Sequence, residues 1–349
     1  MSGVQNRTVT ADEADQRLDR WLRRLFPNLS QVRIEKMCRK GELRVDGGRV
    51  KPATRLVEGQ SVRIPPIADL GPPPVRSSGP RVSDADVEMM LGAVLYRDDH
   101  IIALNKPPGL ASQGGSGQSR HVDGLSEVLC FDLEEKPRLV HRLDRDTSGV
   151  LIMARTRKVA DALTRSFRAR DARKIYWAVV AGVPNPAMGT IRYGLVKAGG
   201  HGRQGEGEKM RCVHPNQIDA TPDAKPATTD YAVLSQLGKR CSWVALVPIT
   251  GRTHQLRAHM AEIGHPVAGD GKYGGSGQEN LGDGWGAQLG GEISRKLHLH
   301  ARSLSLTHPV TGNRLTLTAP LPEHMRRTWE AFDWHEGDVP ADPFEDEPR

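Results

Sequence analysis

The sequence predicts an α+β protein of two domains, a small basic one followed by a larger strand-rich one. Three observations carry that reading. Apolar residues recur at helical spacing in two short stretches near the start of the chain, and a proline-rich polar tract then breaks all periodicity. Beyond that tract, short runs of β-branched and aromatic residues mix with isolated helical patterns, without the regular strand–helix alternation of a parallel α/β protein. At 349 residues the chain is long enough for both parts.

Residues 1–16 are polar and partly acidic, and a flexible leader is expected there. In the first domain, residues 17–64, Leu18, Trp21, Leu22 and Leu25 fall at i, i+3, i+4 and i+7 and form one helical face. Pro27 and Asn28 stop that helix. Ser30 can cap a second, whose Ile34, Met37 and Cys38 face inward while Arg33, Lys36, Arg39 and Lys40 do not. Residues 43–50 read as a hairpin turning on the paired Gly47 and Gly48, and Ser61 to Ile64 as a strand. This stretch holds 13 Lys/Arg against 5 Asp/Glu, a local charge of +8 that exceeds the +7 of the whole chain. A polyanionic partner fits such a concentration of charge.

Residues 65–84 carry Pro65-Pro66, Pro72-Pro73-Pro74 and Ser77-Ser78-Gly79-Pro80, too much proline for helix or central strand, so they form a linker. The second domain, residues 85–333, opens with a short helix and then two strands around Val94 to Tyr96 and Ile101 to Leu104. A helix is expected from Thr156 to Arg170, with Val159, Leu163 and Phe167 inward. A strand follows through Arg173 to Val180, residues 197–227 read as a loop, and strands around 231–237 and 243–247 precede a helix with Leu256, Met260 and Ile263 inward. From Asp333 onward seven acidic residues stand against Arg349 alone, so residues 334–349 are expected to be a disordered acidic tail.

The stretch with most chemical content is HRLDRDTSGV, residues 141–150, which sets two carboxylates and two arginines against the apolar run Val150 to Met153. Charges at the mouth of a buried strand are costly unless they pair or act, and a neighbouring arginine keeps a carboxylate ionised.

HRLDRDTSG resembles the signature motif of the RluA-type RNA pseudouridine synthase family. Further matches are KPPGL from Lys106, Lys174-Ile175-Tyr176, GRTHQLRAHM from Gly251 and GHPVAGDGKYG from Gly264. The helix–helix–hairpin order of residues 17–64 resembles the S4 RNA-binding domain. The resemblance implies a mainly antiparallel sheet with the site in a cleft across it, and conversion of uridine to pseudouridine. It makes Asp144 the catalytic residue, attacking C1′ or removing the C2′ proton. Arg257 would pair with Asp144, Arg252 being the alternative. Tyr176 would stack on the base and accept or relay its C5 proton, Leu256 would pack on the base, and Lys174 joins them as a substrate-binding position. Arg142 would fill the space that a flipped uridine leaves. Lys106 would support the floor of the site, the loop from Gly264 would shape the RNA cleft, and Asp146 would support the Thr147-Ser148 turn. Arg33, Lys36, Arg39, Lys40 and Arg44 would contact phosphate.

Because the reaction breaks N1–C1′ and joins C5 to C1′ with no atoms gained, no cofactor is expected. Cys38, Cys130, Cys212 and Cys241 lie too far apart in sequence for a zinc site or a disulfide framework, and His254 and His259 are five apart with no carboxylate between them, so no metal is expected either. No stretch approaches the roughly 18 apolar residues of a membrane span. A cytoplasmic monomer is expected, and the resemblance implies large-subunit ribosomal RNA or its precursor particle as the substrate. Two rivals remain at this point: a hydrolase built on Ser148, His141 and Asp144, and a non-catalytic RNA assembly factor.

Overall fold

The computed structural model describes residues 3–67, 82–114, 120–169, 171–198, 209–274 and 293–345. The chain divides into two compact units, residues 1–82 and 83–349. Most of the expected linker, residues 68–81, lies outside the described residues.

In the first unit, β1 (Gln5–Thr8), α1 (Leu18–Leu25), α2 (Gln31–Lys40), β2 (Arg44–Val45), β3 (Gly48–Arg49) and β4 (Ser61–Ile64) form a four-stranded sheet of order β1-β4-β2-β3 with two helices. Leu18, Trp21 and Leu22 of α1 close the core with Ile34, Met37 and Cys38 of α2. Ser30 caps α2 by accepting from the Arg33 amide, and Gly41 ends it in the left-handed conformation. The hairpin turns on Asp46 and Gly47, both at positive φ, one residue earlier than the glycine pair suggested. The leader expectation is corrected: Gln5 to Thr8 pair antiparallel with β4, and Val9 is buried behind them. These side chains are polar because the strand is held through its backbone, and such a strand leaves no hydrophobic signal.

The second unit contains α3 (Asp84–Gly92), β5 (Val94–Arg97), β6 (Ile101–Lys106), α4 (Val122–Leu125), β7 (Arg138–Leu139), β8 (Ser148–Ala154), α5 (Arg157–Ala169), β9 (Arg173–Ala181), β10 (Met188–Lys197), β11 (Met210–Val213), β12 (Lys225–Leu237), β13 (Cys241–Pro248), α6 (Gln255–Glu262), β14 (Leu299–Thr307), β15 (Arg314–Thr318) and α7 (Glu323–Ala331). The sheet runs β11-β10-β12-β13-β9-β14-β8-β6-β5, with β15 on β14 and β7 on β8. Its pairings are antiparallel except β8 with β14. The loop expectation for 197–227 is corrected at its described end, where β11 and the start of β12 carry residues 210–213 and 225–227.

Period-two alternation along β9 sorts its side chains onto two faces. Ile175, Trp177 and Val179 join Trp243 and Trp329 under α7, while Tyr176, Ala178 and Val180 lie with Leu256 and Met260 of α6. The disordered-tail expectation is corrected for residues 334–345, while residues 346–349 lie outside the described residues. Trp334 and Phe344 are buried in the tryptophan-rich face, Arg173 forks onto Asp342 at 2.5 and 2.7 Å, and Arg302 pairs with Glu336 at 2.6 Å. Two of the acidic residues that read as solvating, Glu336 and Asp342, find basic partners on the sheet, and two large apolar anchors hold the segment down.

Strand β8 is fixed at its start by a close approach. Gly149 has φ +108°, and a Cβ there would sit 2.2 Å from the Ala301 carbonyl oxygen of β14. Next to it the Ser148 hydroxyl donates to His300 Nδ1 at 2.8 Å, and His300 Nε2 donates to the Ala319 carbonyl at 3.1 Å.

Burial pulls His298 down to about 3 and His300 to about 4. Both rings are fully buried and neutral at pH 7. Below the ordinary histidine value near 6.5 the unfolded chain takes protons that the folded chain refuses, so stability present above pH 6.5 is lost as pH falls toward the folded values. Each ring accounts for on the order of 3 kcal/mol across that window. Urea unfolding between pH 7 and pH 4 should show a falling midpoint, and replacing His300 by Gln should shallow that fall; an unchanged pH slope in the variant would refute the assignment.

Candidate active site

Asp144 lies on the segment between β7 and β8, and both of its neighbours are pinned. The Ser112 hydroxyl donates to the Leu143 carbonyl at 2.7 Å and accepts from the Leu143 amide at 3.0 Å. The Arg145 carbonyl accepts from the Gly109 amide at 3.0 Å and from Lys106 Nζ at 3.0 Å. Lys106 is fully buried at the end of β6, and its Nζ also donates to the carbonyls of Pro107 and Leu110 at 2.9 and 2.8 Å. Three carbonyls meet the three donors of an ammonium group. Burial pulls that ammonium down to about 7, against the opposing charges of Asp146 and Asp144. The supporting role expected of Lys106 thus has a concrete form.

Facing Asp144 is Arg257, on the first turn of α6. Its Nε and Nη2 fork onto Asp270 at 2.6 and 2.7 Å, and its Nη1 stands 3.5 Å from Asp144 Oδ2. Burial opposes the guanidinium charge while Asp270 and then Asp144 favour it, and the balance raises its pKa. Asp270 is fully buried and also accepts from the amides of Lys272 and Tyr273 at 3.0 and 3.2 Å. The preceding Gly269 has φ +73°, and a Cβ there would meet the Lys296 carbonyl at 2.1 Å, so the loop that delivers Asp270 requires glycine. Gln255 secures the entrance to α6: its amide oxygen accepts from Thr250 Oγ1 and the Arg252 amide, and its nitrogen donates to the Thr228 carbonyl and Thr229 Oγ1.

Asp144, Lys174, Tyr176, Arg252, Leu256 and Arg257 line one cavity of about 310 Å³. That is the size of a small ligand pocket, roughly 300 Å³ upward. Lys174 and Tyr176 share a face of β9. Burial, and second the charge of Asp144, hold the Tyr176 phenol above its ordinary range; burial lowers Lys174 to about 8, and its ammonium lies 4.6 Å over the Phe167 ring. The cavity continues, past Arg142 and Asp144, into a cleft of about 950 Å³ whose wall includes Arg145, Lys209, Lys272, Arg295 and Lys296. Arg142 is exposed at their junction.

The structure therefore brings Asp144, Tyr176, Arg257, Arg142, Leu256, Arg252 and Lys174 to one place. Arg252 does not take the alternative role of partner to Asp144: its Nε donates to the Pro226 carbonyl at 3.2 Å, and Arg257 occupies the pairing position. Asp146 does not bond the Thr147-Ser148 turn; it is exposed, 3.9 Å from Arg145. The serine hydrolase constellation does not form. Ser148 is buried against His300, and His141 Nε2 accepts from the Ile152 amide at 2.9 Å, with burial keeping that ring neutral. Arg33, Lys36, Arg39 and Lys40 lie along α2 of the first unit, whereas Arg44 turns back onto its hairpin, donating to the Gly41 and Gly47 carbonyls at 3.1 Å each. Sequence reasoning missed Ser112, His254, Tyr273 and Asp270. Asp270 had a partial signal, a carboxylate in the GDG turn that a buried arginine would need, but the burial of Arg257 is itself known only from the fold.

Comparison with known proteins adds the following. The family model described as RNA pseudouridylate synthase matches residues 100–262, and the S4 domain model matches residues 16–62. The chain is 36% identical over 326 residues to the ribosomal large subunit pseudouridine synthase C of Escherichia coli K12, covering 91% of this chain and 93% of that protein. It is 35% identical over 331 residues to the protein of the same name from Salmonella typhi, covering 93% and 95%. Among solved structures, human RNA pseudouridylate synthase domain containing 4 superposes with a TM-score of 0.55 at 28% identity, over 71% of this chain and 95% of that one.

Asp270→Ala would leave the Arg257 charge buried without its fork. The expected loss is about 3–5 kcal/mol of unfolding free energy, read by urea denaturation at pH 7, and a loss below about 1 kcal/mol would show that the pair does not hold α6 to the loop.

Proposed function

Since this chain belongs to the RNA pseudouridylate synthase family and carries an S4 domain, we propose that it isomerises particular uridines of large-subunit ribosomal RNA to pseudouridine, with Asp144 as the catalytic residue. The observation that carries the assignment is the single cavity in which Asp144 meets a buried, forked arginine, with Tyr176 and Leu256 forming apolar wall beside it.

The chemistry follows from those positions. A uridine in structured RNA has to leave its stack to enter a pocket of this size. Exposed Arg142 at the junction of cavity and cleft supplies a guanidinium plane to fill the gap. Within the cavity the base lies between Tyr176 and Leu256, which places the ribose against the Asp144 carboxylate. Arg257 keeps that carboxylate ionised as substrate excludes water. Both Arg257 and His254 approach Asp144 through Oδ2, at 3.5 and 3.8 Å, so Oδ1 is the oxygen turned to the sugar. Tyr176, whose phenol keeps its proton at neutral pH, relays the departing C5 proton, accepting it as its own proton passes to solvent in the larger cleft, from which N1 of the turned base regains one. The basic wall of the larger cleft receives the flanking phosphates, and α2 of the S4 domain adds a second phosphate-binding surface. No helix among the described residues is long and apolar enough to cross a membrane. A cytoplasmic, monomeric enzyme fits a substrate of this kind.

Two outcomes are expected. Intact protein should release tritium from large-subunit ribosomal RNA labelled at uridine C5, supplied bare or as precursor particles, and Asp144→Asn should abolish the release while still binding RNA; no release from either substrate would return the chain to the assembly-factor reading. Replacing Arg33, Lys36, Arg39 and Lys40 together by Gln should flatten the plot of log affinity against log salt, by about 0.7–0.9 for each phosphate no longer neutralised. An unaltered slope in filter binding would remove α2 from the interface.

A further inference from the structure

Beside Asp144 and Arg257 stands a hydrogen-bonded pair, His254 with Tyr273, of which the account above uses only the approach of His254 to Oδ2. The Tyr273 hydroxyl accepts from the Met210 amide at 2.8 Å and lies 3.0 Å from His254 Nδ1. The opposite nitrogen of that imidazole, Nε2, is 3.8 Å from Asp144 Oδ2. The Tyr273 ring also carries the Arg257 guanidinium at 5.2 Å from its centroid, so one side chain braces both groups that face the carboxylate. His254 sits at the entrance to α6 with φ +52°, a left-handed conformation that costs free energy in a residue with a Cβ and recurs at functional sites.

We propose that His254 and Tyr273 are positioning residues of the synthase reaction: the Tyr273 hydroxyl fixes the His254 imidazole with its proton on Nε2, and that N–H joins Arg257 on Oδ2 of Asp144, leaving Oδ1 to the ribose. This rests on the synthase reading above. The tautomer follows from donor counting. The hydroxyl accepts from the Met210 amide and has one proton to donate, and among the described residues Nδ1 is the acceptor which that proton reaches. A proton on Nδ1 would leave the hydroxyl proton without an acceptor among the described residues and would turn a bare lone pair at Nε2 toward the carboxylate. The charged groups around the ring are Asp144 and Asp270 on one side of the balance and Arg257 and Lys272 on the other. Burial outweighs them and keeps the imidazole neutral at pH 7, so the choice of tautomer is a real one.

The consequence is rotational. One cation on a carboxylate leaves it free to exchange its oxygens by turning about its last side-chain bond. Two donors converging on the same oxygen from α6 fix which oxygen meets the sugar, and their present spacing is the open geometry that tightens as substrate closes the pocket.

The test is the tautomer together with Tyr273→Phe, which removes the hydroxyl and keeps the ring under Arg257. Long-range proton–nitrogen spectra of the intact, nitrogen-15-labelled protein at pH 7.5, with the His254 signals assigned by their loss in His254→Gln, should show a protonated Nε2 and a bare Nδ1. In Tyr273→Phe the two tautomers should mix, and kcat for pseudouridine formation should fall about tenfold, the rate equivalent of one hydrogen bond, with KM within about twofold. A proton on Nδ1 in the intact protein, an unchanged kcat in Tyr273→Phe, or a rise in KM alone would each overturn this proposal and leave the synthase reading standing. Intact protein that forms no pseudouridine would overturn both.

Discussion

The arrangement depends on one buried ion pair, Arg257 with Asp270. Both side chains lie almost wholly out of water, where either charge alone would cost several kcal/mol. Their forked contact at 2.6 and 2.7 Å makes the burial tolerable, and two backbone amides complete the hydrogen bonding of Asp270. It also fixes the direction of the guanidinium, so that Nη1, the nitrogen left over, points at Asp144. An arginine shared in this way can keep a second carboxylate ionised without being drawn onto it. The longer 3.5 Å approach to Asp144 leaves that group available to substrate, which a tight fork on Asp144 itself would not.

Around this pair the fold brings together pieces distant in sequence. Asp144 comes from the segment entering β8, Tyr176 from β9, Arg257 from α6 and Asp270 from the loop after it. Each piece is held by contacts its sequence requires. Gly149 permits the parallel approach of β8 to β14, and Gly269 lets the Asp270 loop pass over the Lys296 carbonyl. Lys106 and Ser112 clamp the residues on both sides of Asp144 from the strand and turn before it. A carboxylate carried on irregular backbone thereby acquires the fixity of a strand residue, which preorganisation demands.

Much of this was legible in the residues. The α1 face of Leu18, Trp21 and Leu22, the Ser30 cap and the buried run at Val150 follow from periodicity and capping, which are local properties. The HRLD string, Lys174-Ile175-Tyr176 and GRTHQLR supplied, through family resemblance, the residues that line the cavity. What escaped is non-local. Residues 5–8 pair through backbone atoms and show no apolar alternation. The segment from Trp334 to Phe344 is acidic by count, yet two aromatic rings and two basic partners decide its place. The Asp270 carboxylate, 13 residues beyond Arg257, could be assigned to it only once the loop was seen to fold back over the helix. The contacts of Arg44 are of the same kind, since a basic position read as exposed in sequence also braces its hairpin through two carbonyls.

The separation of the chain into two units bears on what each can contribute. Under the proposed function, phosphate contacts along α2 would carry affinity without sequence information, because every nucleotide presents the same phosphate. The cavity would read one base and its sugar, and uridine is common in any RNA. Neither unit alone can therefore choose a site. Selection has to come from an RNA shape that satisfies both surfaces at once and from the cost of extracting the base, which is smallest where the uridine is weakly stacked. The basic wall of the 950 Å³ cleft, with Arg142 at its junction with the cavity, is where those two demands meet in the catalytic unit. A substrate that bound the S4 surface but could not present a loosened uridine there would be held and left unmodified.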